Sequence, residues 1–341
     1  MESRLGLLAD YGFSRDVFAE ATMETTDVAR TKRLITMAID SRAMVAVISP
    51  RGFGKTEAIR QVFDGRERVI TAQLVSSESE AVRITDIERA LVLDISAAMG
   101  VPETPKRSRE VRARQVRRIV GDAATEGKMS VVLLLEETHR MHHSTLRSLK
   151  TLREMAWKGK APLFTIIMVG QYDPLRNNPS VDEVRLRTDK IELKGLTAAE
   201  IKTYLGKTVG RVFEDDAVEA VSRIGGGNNK GQNFLDLQEL LVNLMDKALQ
   251  HGHKKVKAID VFAFCGGGLK ELRQKSGLSQ GDIAREIGIS TSEISQIENG
   301  KQGTISDGRA VSTRNAILSV VARKMGEKVV AEEAQQEVKA S

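Results

Sequence analysis

Short apolar stretches alternate with helical patterns over the first 196 residues, and this alternation constrains the fold most strongly. Five stretches have the length of buried strands: residues 43–49, 68–75, 130–137, 163–170 and 190–196. Helical periodicity is found at 27–40, 56–63, 84–100 and 106–126. Strands that alternate with helices are typical of a parallel sheet, because each helix carries the chain back to the same edge. We therefore predict an α/β fold for this part of the chain.

The strands stop after Leu196, and the rest of the chain is predicted to be helical. Helical patterns cover 197–210, 214–224, 232–251 and 257–264, and a Cys-Gly-Gly-Gly run follows them. Such a glycine run is typical of a hinge. The predicted organisation is an N-terminal segment 1–26, an α/β core 27–196, a helical lid 197–264, a hinge 265–268, a small all-α domain 269–326 and a polar tail 327–341.

Composition limits the cellular setting. Hydrophobic residues make up 41% of the chain and charged residues 29%, as in ordinary globular proteins. We find no apolar run of the length that a membrane span needs, and the N-terminus does not resemble a signal peptide. Cys265 is the only cysteine, which excludes an intrachain disulfide. We expect a cytoplasmic protein with no membrane partner.

The stretch SPRGFGKTEA, residues 49–58, nearly matches a phosphate-binding loop. It follows a strand and opens a helix, which is the context that such a loop requires. Lys55 is expected to reach the phosphates of ATP and Thr56 to ligate Mg²⁺. Ser49 replaces the first glycine and is acceptable if its φ is ordinary, whereas a simple glycine turn is the alternative. The predicted contacts are Pro50, Arg51, Gly52, Phe53, Gly54, Lys55, Thr56 and Glu57.

A second motif ends the third strand, where LLLEETHRM places Glu136 and Glu137 after an apolar run. This arrangement resembles a Walker B element, whose usual pair is Asp-Glu. The resemblance implies that the first acid holds Mg²⁺ and that the second orients the attacking water. Glu136 is one methylene longer than the usual Asp, and Mg²⁺ demands tight octahedral geometry. We therefore predict that ATP binds and that hydrolysis is slow.

The net charge of +6 is concentrated in one place. Seven basic residues and one acid, Glu110, lie between Lys106 and Arg118. A local basic cluster indicates a polyanion partner, although a solvated helix face has the same pattern. The candidate phosphate contacts to double-stranded DNA are Lys106, Arg107, Arg109, Arg112 and Arg114.

Residues 269–300 contain two short helical patterns joined by a glycine turn. Ser290 is the expected N-cap of the second, with Glu293 in a capping box, and six apolar side chains can form one core: Ile283, Ala284, Ile287, Ile289, Ile294 and Ile297. The stretch resembles the helix-turn-helix of the Cro/repressor (XRE) class, although a helical bundle for protein contacts remains open. The resemblance implies DNA contacts by Gln280, Thr291, Ser292, Ser295 and Gln296.

The layout as a whole resembles the AAA+ ATPases, which implies a P-loop parallel sheet with a helical lid. In that superfamily a polar residue after the fourth strand senses the γ-phosphate, and Gln171 stands there. Arg185 and Arg187 precede the fifth strand, where an arginine finger acts across a subunit boundary. Lys230 is the candidate for the sensor of the lid. The resemblance also implies self-assembly into a hexameric ring or a helical filament.

Two short motifs narrow the resemblance. EETHRM (136–141) and VGQYDPL (169–175) are similar to segments of the transposition ATPases of the phage Mu B, TnsC and IstB-like group, although in the Mu B protein the helix-turn-helix precedes the ATPase. This resemblance implies an ATP-dependent protein that coats DNA without sequence preference and delivers it to a transposase. Two alternatives remain open: an ATP-gated helix-turn-helix transcription regulator and a replication helicase loader.

Overall fold

The computed structural model describes most of the chain. The described residues are 3–21, 23–64, 66–77, 80–176, 178–226, 233–265 and 269–298, with 309, 312, 313, 316, 317, 320, 321 and 324. They form two compact units. One comprises 24–195 and 233–235, and the other comprises 1–23, 196–232 and 236–341.

The first unit is built on a five-stranded parallel sheet. Its strands are β1 (Met44–Ile48), β2 (Val69–Val75), β3 (Ser130–Glu136), β4 (Thr165–Gly170) and β5 (Thr188–Glu192). Their order across the sheet is β2-β3-β4-β1-β5, and every described pairing is parallel. The predicted α/β class is therefore confirmed, with each predicted strand present.

Fifteen helices are described. In chain order they are α1 (Arg4–Asp10), α2 (Val17–Glu20), α3 (Thr26–Asp40), α4 (Lys55–Phe63), α5 (Ile84–Ala98), α6 (Arg109–Thr125), α7 (His143–Arg153), α8 (Asp182–Arg185), α9 (Ala198–Lys207), α10 (Asp215–Gly226), α11 (Phe234–Gln250), α12 (Ala258–Cys265), α13 (Leu269–Lys275), α14 (Gln280–Ile287) and α15 (Thr291–Glu298). Single 3-10 turns occur at Thr138–Arg140, Pro179–Val181 and Gly210–Val212.

The strands of the sheet are covered on both faces. Met44 and Ala46 of β1 pack into one apolar cluster, whereas Val45 and Val47 pack into another. Successive side chains of a strand point to opposite faces, so the two clusters lie on opposite sides of the sheet. Helices α5, α6 and α7 contribute to the first cluster, and α3 and α4 contribute to the second. This three-layer arrangement places the carboxyl ends of the strands along one edge.

Contacts near Asp27 differ from two predicted boundaries, the start of α3 and the end of β5. The helix predicted over 27–40 begins at Thr26 and is capped by Thr25, since the Thr25 hydroxyl accepts from the Val28 amide at 3.1 Å. The buried carboxylate of Asp27 instead accepts from the amides of Lys194 and Gly195, the latter at 2.8 Å. Because these two amides are satisfied outside the sheet, β5 ends at Glu192 and not at residue 196 as predicted.

The second unit includes the N-terminal segment and helices α9 to α12. The hydroxyl of Tyr11 donates to the carbonyl of Met245 at 3.0 Å, so α11 contacts the N-terminal segment. Burial raises the pKa of Tyr11 to about 12, and the charges of Asp260 and Asp246 act in the same direction. Within the described residues, no helix combines the length and apolar character of a membrane span.

Helices α13 to α15 have an apolar core of their own. The predicted core residues of this segment all belong to it: Ile283, Ala284, Ile287, Ile289, Ile294 and Ile297, joined by Leu269, Leu278, Ile317, Val320 and Val321. Ser290 caps α15 as predicted, accepting from the Glu293 amide at 3.1 Å. The capping box is only half present, because the Glu293 carboxylate accepts from Arg309 at 3.0 and 3.1 Å.

Candidate nucleotide site and nucleic-acid interface

The loop between β1 and α4 has the backbone of a phosphate cradle. Gly52 and Gly54 take the left-handed conformation, with φ of +80° and +88°. Ser49 is buried, with a φ outside the left-handed region. Serine is therefore acceptable in place of the first glycine of the motif, because only a positive φ requires glycine.

Lys55, the first residue of α4, lies against this loop. Its Nζ donates to the carbonyl oxygens of Ser49 at 2.5 Å and Pro50 at 2.8 Å. Burial lowers the pKa of Lys55, and the negative charge of Glu137 opposes that effect. No side chain caps α4 in this described segment, so the amides of its first turn remain open to an anion. An ammonium group beside an uncapped helix start fits the phosphates of ATP.

Gly52 is also required by a close contact within the first unit. The Phe234 amide donates to the Gly52 carbonyl at 3.1 Å, and a Cβ at position 52 would lie 2.6 Å from Oδ1 of Asn233. The segment 233–235 therefore packs directly on the loop. No local signal in the sequence indicated this contact, since its two sides are 180 residues apart.

The other predicted loop contacts are placed as follows. Pro50, Arg51 and Thr56 are exposed, and Phe53 is half-buried against the apolar cluster of α3 and α4. Glu57 pairs with Arg60 at 2.7 Å, and the hydrogen bonds from that guanidinium lower the pKa of Glu57. Thr56 is exposed in the first turn of α4, at the position where the phosphate-loop motif places its Mg²⁺ ligand.

The two acids of the second motif have different environments. Glu136 ends β3, and its Oε1 accepts from the side chain of Gln73 on the neighbouring strand β2. Glu137 follows in the left-handed conformation, with a φ of +52°. That conformation is costly for a residue with a Cβ, and residues held in it cluster at functional sites. The Glu136 carboxylate meets Gln73 of β2, whereas the Glu137 carboxylate faces Gln171, which follows β4.

The Glu137 carboxylate is the centre of a small polar network. Its Oε2 lies 3.4 Å from Nε2 of Gln171, 3.5 Å from Nε2 of His139 and 3.7 Å from Nε of Arg140. Gln171 directly follows β4, the neighbour of β3 in the sheet. The structure thus brings together the predicted water-orienting acid and the predicted sensor.

His139 was missed by the sequence analysis. Its Nδ1 accepts from the backbone N–H of Gln171 at 3.3 Å, and its ring centroid lies 4.7 Å from that of Tyr172. The Nδ1 acceptor role leaves the proton on Nε2, which faces Glu137. Burial lowers the pKa of His139, which favours this neutral form. The sequence did offer one sign of this role, since His139 lies only two residues after Glu137.

The two candidate finger arginines are exposed and locally paired. Arg185 ends α8 and donates to Asp182 at 3.0 Å, whereas Arg187 precedes β5 and pairs with Glu154. Their role across a subunit boundary stays a prediction. Lys230 and the hinge glycines 266–268 lie outside the described residues.

The basic cluster divides into exposed and buried members. Lys106 and Arg107 are exposed just before α6, and Arg109 and Arg114 are exposed in its first two turns. Arg112 is buried, and it donates to Glu88 of α5 at 2.9 Å and to the carbonyls of Lys106 and Arg107 at 3.0 and 3.2 Å. A guanidinium held this way is not available to DNA phosphate, so the prediction for Arg112 is corrected to a structural one.

The candidate DNA contacts of the helix-turn-helix differ in exposure. Thr291 and Ser292 are exposed at the start of α15, whereas Ser295 and Gln296 are half-buried. The side chain of Gln280 donates to Glu298 at 2.8 Å, and Glu298 also pairs with Arg273 at 2.6 Å. Gln280 is therefore held in position by the buried ion pair of Arg273 and Glu298.

Fold and site together define an α/β unit of the AAA+ fold with a phosphate loop, followed by a C-terminal helix-turn-helix. Residues 38–177 match the family model of an AAA domain, and residues 269–311 match that of a helix-turn-helix. No curated protein matches the chain.

Several solved structures are similar to the chain. Cdc6p from Pyrobaculum aerophilum is 13% identical with a TM-score of 0.51, over 94% of this chain and 88% of that one. The ADP form of ORC2 from Aeropyrum pernix is 15% identical with a TM-score of 0.48, over 78% and 75%. A RuvB mutant from Thermotoga maritima is 14% identical with a TM-score of 0.40, over 80% and 86%. At 13% identity the likeness to Cdc6p concerns the fold alone.

Proposed function

We propose that this protein is an ATP-dependent, largely sequence-independent DNA-binding ATPase that oligomerises on DNA and delivers the DNA to a transposase. One observation carries the proposal: the lysine of the phosphate loop and the Glu137–Gln171 pair belong to one α/β unit of a chain that also has a helix-turn-helix. Nucleotide chemistry and DNA contact are therefore combined in one polypeptide.

The nucleotide part of the proposal assigns a role to each group at the loop and strand ends. The open amides of α4 and Lys55 hold the phosphates, and Thr56 and Glu136 hold Mg²⁺. Bound Mg²⁺ would neutralise the developing phosphate charge. Glu137 orients water, with Gln171 beside it at 3.4 Å.

Turnover is proposed to be slow for two reasons. The Glu137 carboxylate is shared among three side chains, those of Gln171, His139 and Arg140. Each of them competes with water for the same oxygen. In addition, Glu136 is engaged by Gln73 and is longer than the aspartate that suits Mg²⁺ best. Slow hydrolysis would leave the ATP-bound assembly on DNA for longer.

The DNA part of the proposal rests on exposed cations. Arg109 and Arg114 are exposed in the first turns of α6, and Lys106 and Arg107 are exposed in the loop before it. The Arg112 guanidinium holds this loop by donating to the carbonyls of Lys106 and Arg107. Contacts of this kind neutralise phosphates without reading bases, so binding is sequence-tolerant and falls steeply with salt. A ring or filament would repeat these contacts along the duplex.

The transposase partner is supported by the motifs EETHRM and VGQYDPL, whose residues Glu137, His139, Gln171 and Tyr172 form one connected cluster. The identity of the partner needs an assay with a transposase. Stimulation of a transposase encoded beside this chain would test it directly.

Electron microscopy of the protein with ATP and unrelated duplexes tests the central claim. We expect length-dependent coating of every duplex in the presence of ATP and none with Lys55→Ala. Bare DNA under all conditions, with the parent protein binding ATP, would overturn the proposal.

A second function is favoured by one observation. Thr291 and Ser292 are exposed at the start of α15, where a helix-turn-helix contacts base edges. An ATP-gated transcription regulator would use them to read one operator. Footprinting on genomic fragments separates the two functions, since a regulator protects a single defined site and a coating protein protects every duplex.

A further inference from the structure

Two histidines and an aspartate meet where α11 ends and α12 begins. His251 and His253 follow the last turn of α11, and Asp260 lies in the first turn of α12. One ligand atom from each of the three residues lies within 4.8 Å of the other two. All three belong to the second unit, far along the chain from the nucleotide motifs.

The backbone holds both imidazoles in place. Gly252, between them, takes a φ of +73°, and the amides of Gly252 and His253 donate to the carbonyls of Leu249 and Ala248 at 2.9 and 2.8 Å. This is a helix C-terminus closed by a left-handed glycine. The turn brings the side chains on either side of the glycine towards the same point.

The carboxylate is fixed independently of the histidines. Asp260 is only 1% exposed, and its Oδ2 accepts from the Lys257 amide at 3.0 Å. Its Oδ1 lies 3.1 Å from Nδ1 of His251, and its Oδ2 lies 3.0 Å from Nδ1 of His253. Both rings therefore point the same nitrogen at one buried carboxylate.

These separations are close to those within a tetrahedral metal site. Ligands with bonds of about 2.0 Å to a zinc ion stand about 3.3 Å apart. The three ligand atoms lie within 4.8 Å of one another, and the side chains of His251 and His253, which are 50% and 29% exposed, can adjust to an ion. An ion can therefore reach the buried carboxylate from the solvent.

The surrounding charges act in both directions. The C-terminal end of the 17-residue helix α11 favours a cation. Lys254, Lys255 and Lys257 oppose one, but all three are exposed, and exposed charges are screened by salt. The balance is set by the buried carboxylate, whose charge is not screened in this way.

We propose that His251, His253 and Asp260 bind a divalent transition-metal ion of the zinc class, which joins the end of α11 to the start of α12. Two imidazoles and one carboxylate leave a fourth position for water, as in zinc sites with three protein ligands. Nitrogen ligands select Zn²⁺, Co²⁺ or Ni²⁺ over Mg²⁺. The three residues belong to the second unit, whereas the proposed ATP site belongs to the first, and the proposal does not depend on nucleotide binding.

Calorimetric titration of the full-length, chelator-treated protein with Zn²⁺ tests the proposal. The titration is done without nucleotide and with Mg²⁺ in excess, and Co²⁺ absorption reports the coordination. We expect one ion per chain, tetrahedral Co²⁺ bands and a raised melting temperature. His251→Ala and His253→Ala should each weaken zinc binding at least about tenfold. Removal of a residue that only hydrogen-bonds to a metal ligand already costs that much, and a ligand itself should cost no less.

Two control variants make the result specific. His142 and His143 form a second histidine pair, with ring centroids 3.9 Å apart. His143→Ala removes one imidazole of that pair and should leave zinc binding unchanged. Lys55→Ala should also leave it unchanged, which separates this site from the nucleotide site. If the parent binds no zinc, or if both His251→Ala and His253→Ala bind it like the parent, the three residues form only a hydrogen-bonded cluster and the proposal fails.

Discussion

Arg112 of α6 donates through Nε to Oε2 of Glu88 of α5 at 2.9 Å, and the two side chains expose only 4% and 8% of their surface. The pair joins two helices that cover the sheet. It also holds the loop that carries Lys106 and Arg107. Arg112 thus fixes the backbone of the loop on which the exposed Lys106 and Arg107 lie.

The first prediction concerns this ion pair. Arg112→Met should lower the free energy of unfolding by about 3–5 kcal/mol, because the buried carboxylate of Glu88 loses its partner. Urea denaturation measures the loss. Arg114→Met is the matched control: Arg114 is 76% exposed, and its removal should change stability by about 0.5 kcal/mol or less. Equal effects of the two variants would contradict the assignment.

The second prediction concerns the phosphate loop. Lys55→Ala should weaken ATP binding by about tenfold to a hundredfold, because a charge-assisted contact to phosphate is lost. Fluorescence titration with a labelled ATP analogue measures the affinity. Arg60→Ala, on the exposed face of the same helix where Arg60 pairs with Glu57 and Asp64, should bind like the parent. Parent-like affinity in Lys55→Ala would remove the nucleotide site.

The third prediction separates ATP binding from hydrolysis. Glu137→Gln should keep ATP affinity and slow phosphate release by about a hundredfold or more, because the water loses its orienting carboxylate. Protein–DNA assemblies should dissociate correspondingly later. Glu80→Gln, an exposed acid, serves as the control. An unchanged rate in Glu137→Gln would place the catalytic role elsewhere.

The fourth prediction tests the longer acid at the strand end. Glu136→Asp should leave hydrolysis intact or raise it, because the shorter side chain suits octahedral Mg²⁺ better and loses the contact with Gln73. ATPase rates over a Mg²⁺ titration measure the effect. A lower rate at saturating Mg²⁺ would show that the extra methylene is needed.

The fifth prediction concerns the exposed cations of α6. Arg109→Glu with Arg114→Glu should weaken binding to all duplexes alike and reduce the salt slope by about one unit for each lost phosphate contact. The assay is DNA affinity against salt on several unrelated sequences. Thr291→Glu with Ser292→Glu tests the helix-turn-helix in the same way. If only the latter pair abolishes binding, the regulator becomes the better assignment.

His139 adds a pH dependence to these tests. Burial lowers the pKa of His139 from the ordinary value of a histidine, so the unfolded chain takes up the proton first as the pH falls. The histidine therefore contributes stability above its unfolded pKa and loses that contribution as the pH approaches the folded pKa. Between pH 7.5 and about 5.5 the parent should lose more stability than His139→Gln. Equal losses in urea titrations at the two pH values would contradict a buried neutral His139.

Local patterns in the sequence determined much of the fold. Each of the five strands follows from an apolar run, and the loop 49–56 follows from its position between a strand and a helix. The core of the helix-turn-helix followed from the spacing of its apolar residues. Neighbouring residues carry these signals because periodicity and turn chemistry act over a few residues.

The tertiary structure alone decided how similar residues divide their roles. Arg112 and Arg109 look alike in sequence, but only Arg112 meets Glu88 inside the protein. His139 joined Glu137 and Gln171 only when β3 and β4 became neighbours. His251 and His253 converged on Asp260 only when α12 followed the turn of α11. Each role depends on a partner brought close by folding, and a charge or an imidazole changes its chemistry with burial and with that partner.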